Sequence, residues 1–299
     1  HAEHAVLRPE GISIARGDGA HAFARAPLAR RDVVLVRGHV HRAGHDVHVA
    51  YQTSGNTAVW DDDVLRYMEF AIDFNQSIGQ ETDHLENIYE DMRSFLENKQ
   101  PNQLDTQEIR DVKGFIRKSE AIAGARYAGL DDDHIHFMAL PFYETGKTVK
   151  KPVTDIDVEL TIELLQKVKP HQVFAAGDFA DPHGTHIVCF NIVMAALNRL
   201  RETEEWAQDC WLWMYRGAWH EFATHEIEMA VPLSPQEVER KRNAIFKHQS
   251  QKDYPVFPGD DAREFWVRAE ERNRETAKSY DDLGLANYEA MEAFVKWKF

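Results

Sequence analysis

The chain has 299 residues, of which 43% are hydrophobic and 28% charged; these are the proportions of a globular protein large enough for one substantial α/β domain or two smaller ones. With 35 Lys and Arg against 50 Asp and Glu, the net charge is −15, which excludes a broadly basic nucleic-acid surface but leaves room for a basic pocket inside an acidic shell. No apolar run approaches the ~18 residues of a membrane span, and the start, His1-Ala2-Glu3-His4, lacks both the layout of a signal peptide and an initiator Met, so a fragment or processed product is expected.

The first 48 residues hold seven of the 16 histidines and seven arginines but no lysine, the first of which is Lys99. No strand or helix period persists through about Leu28. Val33-Val34-Leu35-Val36 then reads as a short strand, interrupted by Arg37-Gly38-His39-Val40-His41. His39 and His41 would share a face of such a strand; solvated histidines are the plainer account of them than a metal pair. From Gly44 the pattern becomes regular. Asp46 to Tyr51 alternates as a strand and ends in the turn-forming Gln52-Thr53-Ser54-Gly55-Asn56. Asp61 to Asp63 place negative charge in the first turn of a helix, and Leu85, Ile88, Met92 and Phe95 keep helical spacing in the next. A further helix is predicted from Thr106 to Ala128. His134 to Pro141 reads as a strand, and Val158, Ile162, Leu165 and Val168 stripe a helix that stops before Pro170.

Val173 to Ala176 is the next strand, ending in Gly177-Asp178 and the loop Asp181-Pro182-His183-Gly184-Thr185-His186, which opens the helix Ile187 to Leu197. Such a loop lies where α/β folds place their chemistry, outside the carboxyl ends of the strands. Two histidines three apart can point into one cleft, one as a metal ligand and one as a proton donor; taken alone they can equally hydrogen-bond within the loop. Trp211 to Arg216 and Glu226 to Val231 read as strands, with His220 and His225 between them as packing or substrate-rim residues. Ser234-Pro235-Gln236-Glu237 combines a capping box with Pro at the first helical position. The tail from Asp261 to Phe299 is expected to be helical and to pack outside the core. Cys189 and Cys210 sit in apolar runs, as packing residues in a reducing, cytoplasmic location. Trp206, Trp211, Trp213 and Trp219 are expected in the core, or one of them stacked on a sugar ring. Strands alternating with helices point to an α/β fold, with a mostly parallel sheet covered on both faces.

Six motifs stand in order along residues 44–299: Tyr51-Gln52-Thr53-Ser54-Gly55-Asn56, Ile116-Arg117-Lys118-Ser119-Glu120-Ala121, Leu140-Pro141-Phe142-Tyr143-Glu144-Thr145-Gly146, Ala180-Asp181-Pro182-His183-Gly184-Thr185-His186, Trp213 to His220 and Lys241 to Gln251. Together they resemble the PIG-L/LmbE-type zinc de-N-acetylase domain, in the form found as the C-terminal half of bacterial glucosamine-6-phosphate deaminase-like proteins. The resemblance implies a Rossmann-like fold and deacetylation of N-acetylglucosamine-type amino sugars. It makes His186 a zinc ligand, His183 the proton donor or intermediate-stabilising group, and Arg117 and Glu120 substrate-pocket residues. Asp178 and Asp181 on this reading hydrogen-bond to the histidines and orient them, or are ordinary loop caps. A glucosamine-6-phosphate deaminase domain is an expected partner, and a homo-oligomer is expected.

In that family a His and an Asp from an early His-Pro-Asp-Asp loop complete the zinc site, leaving one position for an activated water. A neighbouring carboxylate takes the water's proton and hydroxide attacks the acetamide. This chain has no His-Pro-Asp-Asp sequence. Its equivalent region, near Arg25 to Asp32, offers Asp32 among arginines, so zinc and activity are expected to be weak or lost. Two accounts are open. Either the chain is a degenerate member acting as a non-catalytic accessory domain, or residues 1–43 are not the natural segment, as after a reading-frame error; their composition favours the second. The expected division is therefore an atypical segment over 1–43 and the deacetylase-like domain over 44–299.

Overall fold

A computed structural model of the chain describes residues 11–17, 45–101, 103–146, 150–177, 179, 184–216, 221–252 and 263–299. Their strands are β1 (Gly11–Gly17), β2 (His45–Tyr51), β3 (Ile135–Phe137), β4 (Gln172–Ala176), β5 (Trp211–Tyr215), β6 (Met229–Leu233) and β7 (Ala290–Lys296). They form one seven-stranded sheet in the order β3-β2-β1-β4-β5-β7-β6. The helices are α1 (Asp61–Ser77), α2 (Asp83–Glu97), α3 (Gln107–Ala128), α4 (Asp155–Val168), α5 (Thr185–Thr203), α6 (Glu205–Gln208), α7 (Pro235–Ile245), α8 (Gln249–Lys252) and α9 (Phe265–Asp282).

The helix boundaries follow from capping chemistry. Thr106 Oγ1 accepts from Ile109 N at the start of α3, and Gly129, at φ 100°, closes it. Thr154 with Asp157 and Ser234 with Glu237 form capping boxes at α4 and α7, the second with Pro235 at the first helical position. Alternation along the strands then sorts the core. Ala50, Val173, Ala175, Leu212 and Met214 point to one face, against α4 and α5. Val47, Val49 and Tyr51 point to the other, against Ala121, Ala125 and Ala128 of α3, where Phe174, Trp213, Tyr215 and Phe294 also pack. Each fully buried Leu or Ile in these layers contributes roughly 1.5–3 kcal/mol. Helices thus cover both faces, as expected for α/β.

Four expectations are corrected. The sheet is mixed: β2 with β3 and β4 with β5 are parallel pairs, whereas β1 runs against β2 and β4, and β7 against β5 and β6. Five strands point one way, and the two reversed strands turn four of the six pairings antiparallel. A strand lies over Gly11–Gly17, where no period was read, because backbone pairing to β2 on one side and β4 on the other fixes it independently of side-chain pattern. The tail is helical only through α9. Ala290 to Phe294 are then buried in β7, since a seat between β5 and β6 outweighs the helical propensity of Ala, Met, Glu and Lys. The strand read from Glu226 starts instead at Met229. The strand read at Val33 to Val36, with His39 and His41, lies outside the described residues.

Candidate functional site

The carboxyl ends of β2 and β3 open into a cavity of about 430 Å³, within the usual range for small-molecule sites. Its walls come from the loop after β2 (Thr53, Ser54, Asn56), from α3 (Arg110, Asp111, Gly114, Phe115, Arg117, Lys118) and from the loop after β3 (Ala139, Glu144).

Each wall is held by specific bonds. Met138 N donates to Tyr51 O (2.9 Å) and Leu140 N to Gln52 O (2.9 Å), carrying the pairing of β2 and β3 past their ends. Between them Ala139 takes φ 46°, a left-handed conformation that costs a non-glycine residue free energy and is frequent at functional loops. The fully buried Asp157 accepts from Phe142 N (2.9 Å) with one carboxylate oxygen and from Thr154 N (2.8 Å) with the other. One carboxylate therefore caps α4 and fixes the loop that carries Glu144. Glu144 in turn accepts from Ser54 N (3.2 Å), Ser54 Oγ (3.0 Å) and Asn56 Nδ2 (3.2 Å), bringing together loops some 90 positions apart. Gln52, 2% exposed, reaches the other way and donates to Cys189 O in α5 (3.2 Å).

Arg117 is 5% exposed and lines the cavity. Its guanidinium lies across Gly55, where a Cβ would stand 2.6 Å from Nε. Gly55 has φ 67°, so the position needs glycine both for its backbone and for the passage of Arg117. Three cations, Arg110, Arg117 and Lys118, face two carboxylates, Asp111 and Glu144. Phe137, 37% exposed, stacks on Tyr51 at 5.2 Å and adds an apolar face.

Glu120 does not line the cavity. Its carboxylate, 4% exposed, accepts from Ser250 N (2.7 Å) and Ser250 Oγ (2.8 Å), tying α8 to α3. The adjoining Gln251 donates to Ala58 O, and His248 packs on Gly124, where a Cβ would be 2.8 Å from Nε2. Four of the six motifs therefore converge around one cavity. His186, 4% exposed, stands in the first turn of α5, one turn before the Cys189 carbonyl that Gln52 holds. His183, Asp178, Asp181 and His220 lie outside the described residues, as does the Arg25 to Asp32 region.

The zinc that the resemblance implies needs three protein ligands. Among the described residues, the group of at least three convergent ligand atoms is Asp46, His48 and His134, which does not include His186. The strand order adds a reason. Gly11 of β1 pairs with Tyr51 and Gly17 with His45, so the chain leaves β1 at the end of the sheet opposite to the start of α5. The described residues do not fit a zinc at His186.

Sequence reasoning placed Arg117 in the pocket but missed Ser54, Asn56 and Glu144, although all three lie in quoted motifs. The signal was there in the Ser-Gly-Asn turn and the loop glutamate; their partnership is visible only in space. It also did not single out Asp46, His48 and His134, whose signal was an Asp-x-His pattern in one strand and a His-x-His pattern at the start of another.

Among known proteins, a protein of Bacteroides thetaiotaomicron described as glucosamine-6-phosphate deaminase-like is 49% identical over 277 residues, 91% of this chain. The chain is a homologue of part of that protein. It spans 42% of the relative's length, less than half. Among solved structures, an N,N'-diacetylchitobiose deacetylase from Pyrococcus horikoshii matches with TM-score 0.44 and 18% identity, covering 66% of this chain and 67% of that one. A deacetylase of teicoplanin biosynthesis matches with TM-score 0.41 and 14% identity over 62% of this chain and 74% of its own. The 4-carboxy-2-hydroxymuconate hydratase GalB from Pseudomonas putida matches with TM-score 0.44 and 13% identity, over 66% and 77%. No family model matches. The likeness to the deaminase-like protein and to deacetylases, expected from the motifs, is thus found. Among the described residues no helix is long and apolar enough to cross a membrane.

Proposed function

We propose that the chain is a de-N-acetylase-type domain of the PIG-L/LmbE kind that binds N-acetylglucosamine-type amino sugars, with hydrolysis weak or absent in the chain as it stands. The observation that carries this reading is the cavity over Arg117. A buried guanidinium with fixed donors suits sugar hydroxyls or an attached phosphate. Ser54, Asn56 and Glu144 supply further donors and acceptors, and the exposed part of Phe137 suits the apolar face of a pyranose. Glu120 acts in this reading as a positioning residue, holding α8 and Gln251 against the loop that carries Gly55. His183 and His186 keep the roles that the resemblance gives them, proton donor and metal ligand, for a protein with a complete ligand set. Asp178 and Asp181 would support them.

A second reading rests on a specific finding: the chain matches less than half of its deaminase-like relative. On that reading residues 44–299 form an accessory domain that assembles with a deaminase domain, and a homo-oligomer follows if the whole protein assembles through either part. A cytoplasmic setting suits two buried cysteines without a disulfide.

Calorimetric titration with N-acetylglucosamine 6-phosphate and glucosamine 6-phosphate tests the first reading. Binding is expected, weakened at least tenfold in Arg117→Ala, with little acetate released even in added zinc. Equal affinity in Arg117→Ala would overturn the assignment of the cavity. Rapid acetate release, lost in His186→Ala, would show that hydrolysis is intact.

A further inference from the structure

At the opposite end of the sheet, the amino ends of β2 and β3 bring together Asp46, His48, His134 and His136. Val49 pairs with Ile135 and Ala50 with His136, so the parallel register sets His48 beside His134. Asp46 lies two residues before His48 on the same face. Asp46 Oδ2 is 3.4 Å from His48 Nε2, and Asp46 Oδ1 is 2.9 Å from His134 Nε2. One ligand atom from each of the three residues fits within 4.8 Å of the others. Four-coordinate zinc with bonds of ~2.0–2.2 Å places its ligand atoms about 3.4 Å apart, the scale of these separations.

The outer nitrogens of both rings are also engaged. His48 Nδ1 shares a hydrogen bond with His136 Nε2 (2.9 Å), and His134 Nδ1 is 2.9 Å from Asp133 Oδ1. With the proton on each Nδ1, the tautomer in which Asp133 and His136 accept from the rings, both Nε2 atoms turn lone pairs towards Asp46; with it on Nε2, each ring instead donates to the Asp46 carboxylate. In the first tautomer a cation between the three atoms takes the place of those hydrogen bonds. Rings oriented through their second nitrogen are the usual supporting shell of a metal site. The rings of His48 and His134 lie 4.5 Å apart and tilted by 35°, as two ligands of one ion can. The three side chains are 13%, 29% and 47% exposed, so solvent can reach the group and supply a fourth ligand.

We propose that Asp46, His48 and His134 form a zinc site, oriented by His136 and Asp133, that cross-links strands β2 and β3 at the end of the sheet remote from the cavity. A nitrogen-rich set with one carboxylate suits zinc among the physiological divalent ions and disfavours magnesium and calcium. The ion replaces two carboxylate–imidazole hydrogen bonds with metal bonds and ties residues 88 positions apart, His134 standing in the turn just before the three-residue strand β3. The inference stands apart from the sugar-binding reading, because it involves none of the cavity residues.

The test is titration of the full chain with zinc chloride, by calorimetry and by thermal unfolding. One zinc per chain is expected, with a rise in the unfolding midpoint of roughly 5 °C at a hundredfold excess over Kd. Asp46→Asn, which is isosteric and sits on the surface, and His134→Ala should each weaken that zinc at least tenfold and at least halve the midpoint shift; His186→Ala should leave both unchanged. Circular dichroism at low temperature checks that the variants are folded. No zinc bound at micromolar concentration, or a zinc that survives both Asp46→Asn and His134→Ala, overturns the proposal. Loss of the zinc in His186→Ala would relocate it to α5 and overturn it equally.

Discussion

Gly55→Ala separates backbone strain from loss of the cavity. At φ 67° an alanine pays the left-handed penalty of about 1–2 kcal/mol, a fall of roughly 2–4 °C in the unfolding midpoint for a chain of this size. The new Cβ would also stand 2.6 Å from Arg117 Nε and 3.0 Å from Nη2. A guanidinium is the far end of a flexible side chain, so it swings away at little cost to stability, and the damage appears in binding. A charge-assisted hydrogen bond is worth about 1.5–3 kcal/mol, so affinity for the phosphosugar should fall about ten- to a hundredfold. Gly55→Asn provides the separation. Asparagine tolerates the left-handed region, so the midpoint should recover most of the loss, while its Cβ still displaces Arg117 and affinity stays low. Thermal unfolding and calorimetric titration of the three proteins read the two effects independently. If Gly55→Ala binds as tightly as the parent, or if Asn restores affinity together with stability, Arg117 is not held for the ligand by this glycine.

Elsewhere, Lys241 and Glu292, 5% and 2% exposed, form an ion pair with Asn273 at 2.7 Å from the ammonium; Glu292→Ala should cost about 3–5 kcal/mol by stranding the lysine, and Lys241→Met with Glu292→Leu should recover most of it in urea unfolding. Failure of the double variant to exceed the single would refute the cause assigned. Burial raises the Glu221 carboxyl above its usual value of 4.5, with Arg272 opposing. A raised carboxylate favours the protonated native state, so this contribution is full below about pH 4.5 and lost as pH rises through the folded value. Glu221→Gln should flatten that slope in midpoints measured from pH 4 to 8, and an unchanged slope would count against it. Burial pushes the Cys210 thiol up to about 12, and Cys189 is buried too, so neither should react with a thiol reagent at pH 8 until the chain unfolds; rapid native labelling would contradict the packing.

How far the sequence carried this reading differs between elements. The capping box at Ser234, the stripe of α4 and the strand into Tyr51 are local patterns, and each forms where its residues say. β7 was not legible, because Ala-Met-Glu-Ala-Phe-Val-Lys is built of helix formers. Its glutamate is buried against a lysine 51 positions away, a partner that no local window contains. The same holds for the cavity. Arg117 was recognisable from its motif, yet the carboxylate of Glu144 works only through Ser54 and Asn56. Asp46, His48 and His134 were each visible as strand residues, but their meeting depends on parallel register, which alternation does not specify.

The direction of β1 connects the proposed sugar binding with the expected lack of hydrolysis. The cavity needs only the ends of β2 and β3, α3, and the two loops locked by Glu144 and Asp157; none of these bonds involves β1. A three-ligand zinc at His186 needs donors brought to the start of α5 from another element. In the family resembled, the loop that follows an early strand supplies them. Here β1 lies between β2 and β4 but antiparallel to both, and its carboxyl end, Gly17, pairs with His45, at the end where Asp46, His48 and His134 gather. On these two proposals, sugar recognition and metal binding fall at opposite ends of one sheet. A single-turnover assay should then find sugar bound without cleavage, whether or not zinc occupies the site at Asp46. If zinc loading at Asp46, His48 and His134 switched on acetate release, the two ends would be coupled and this separation would be wrong.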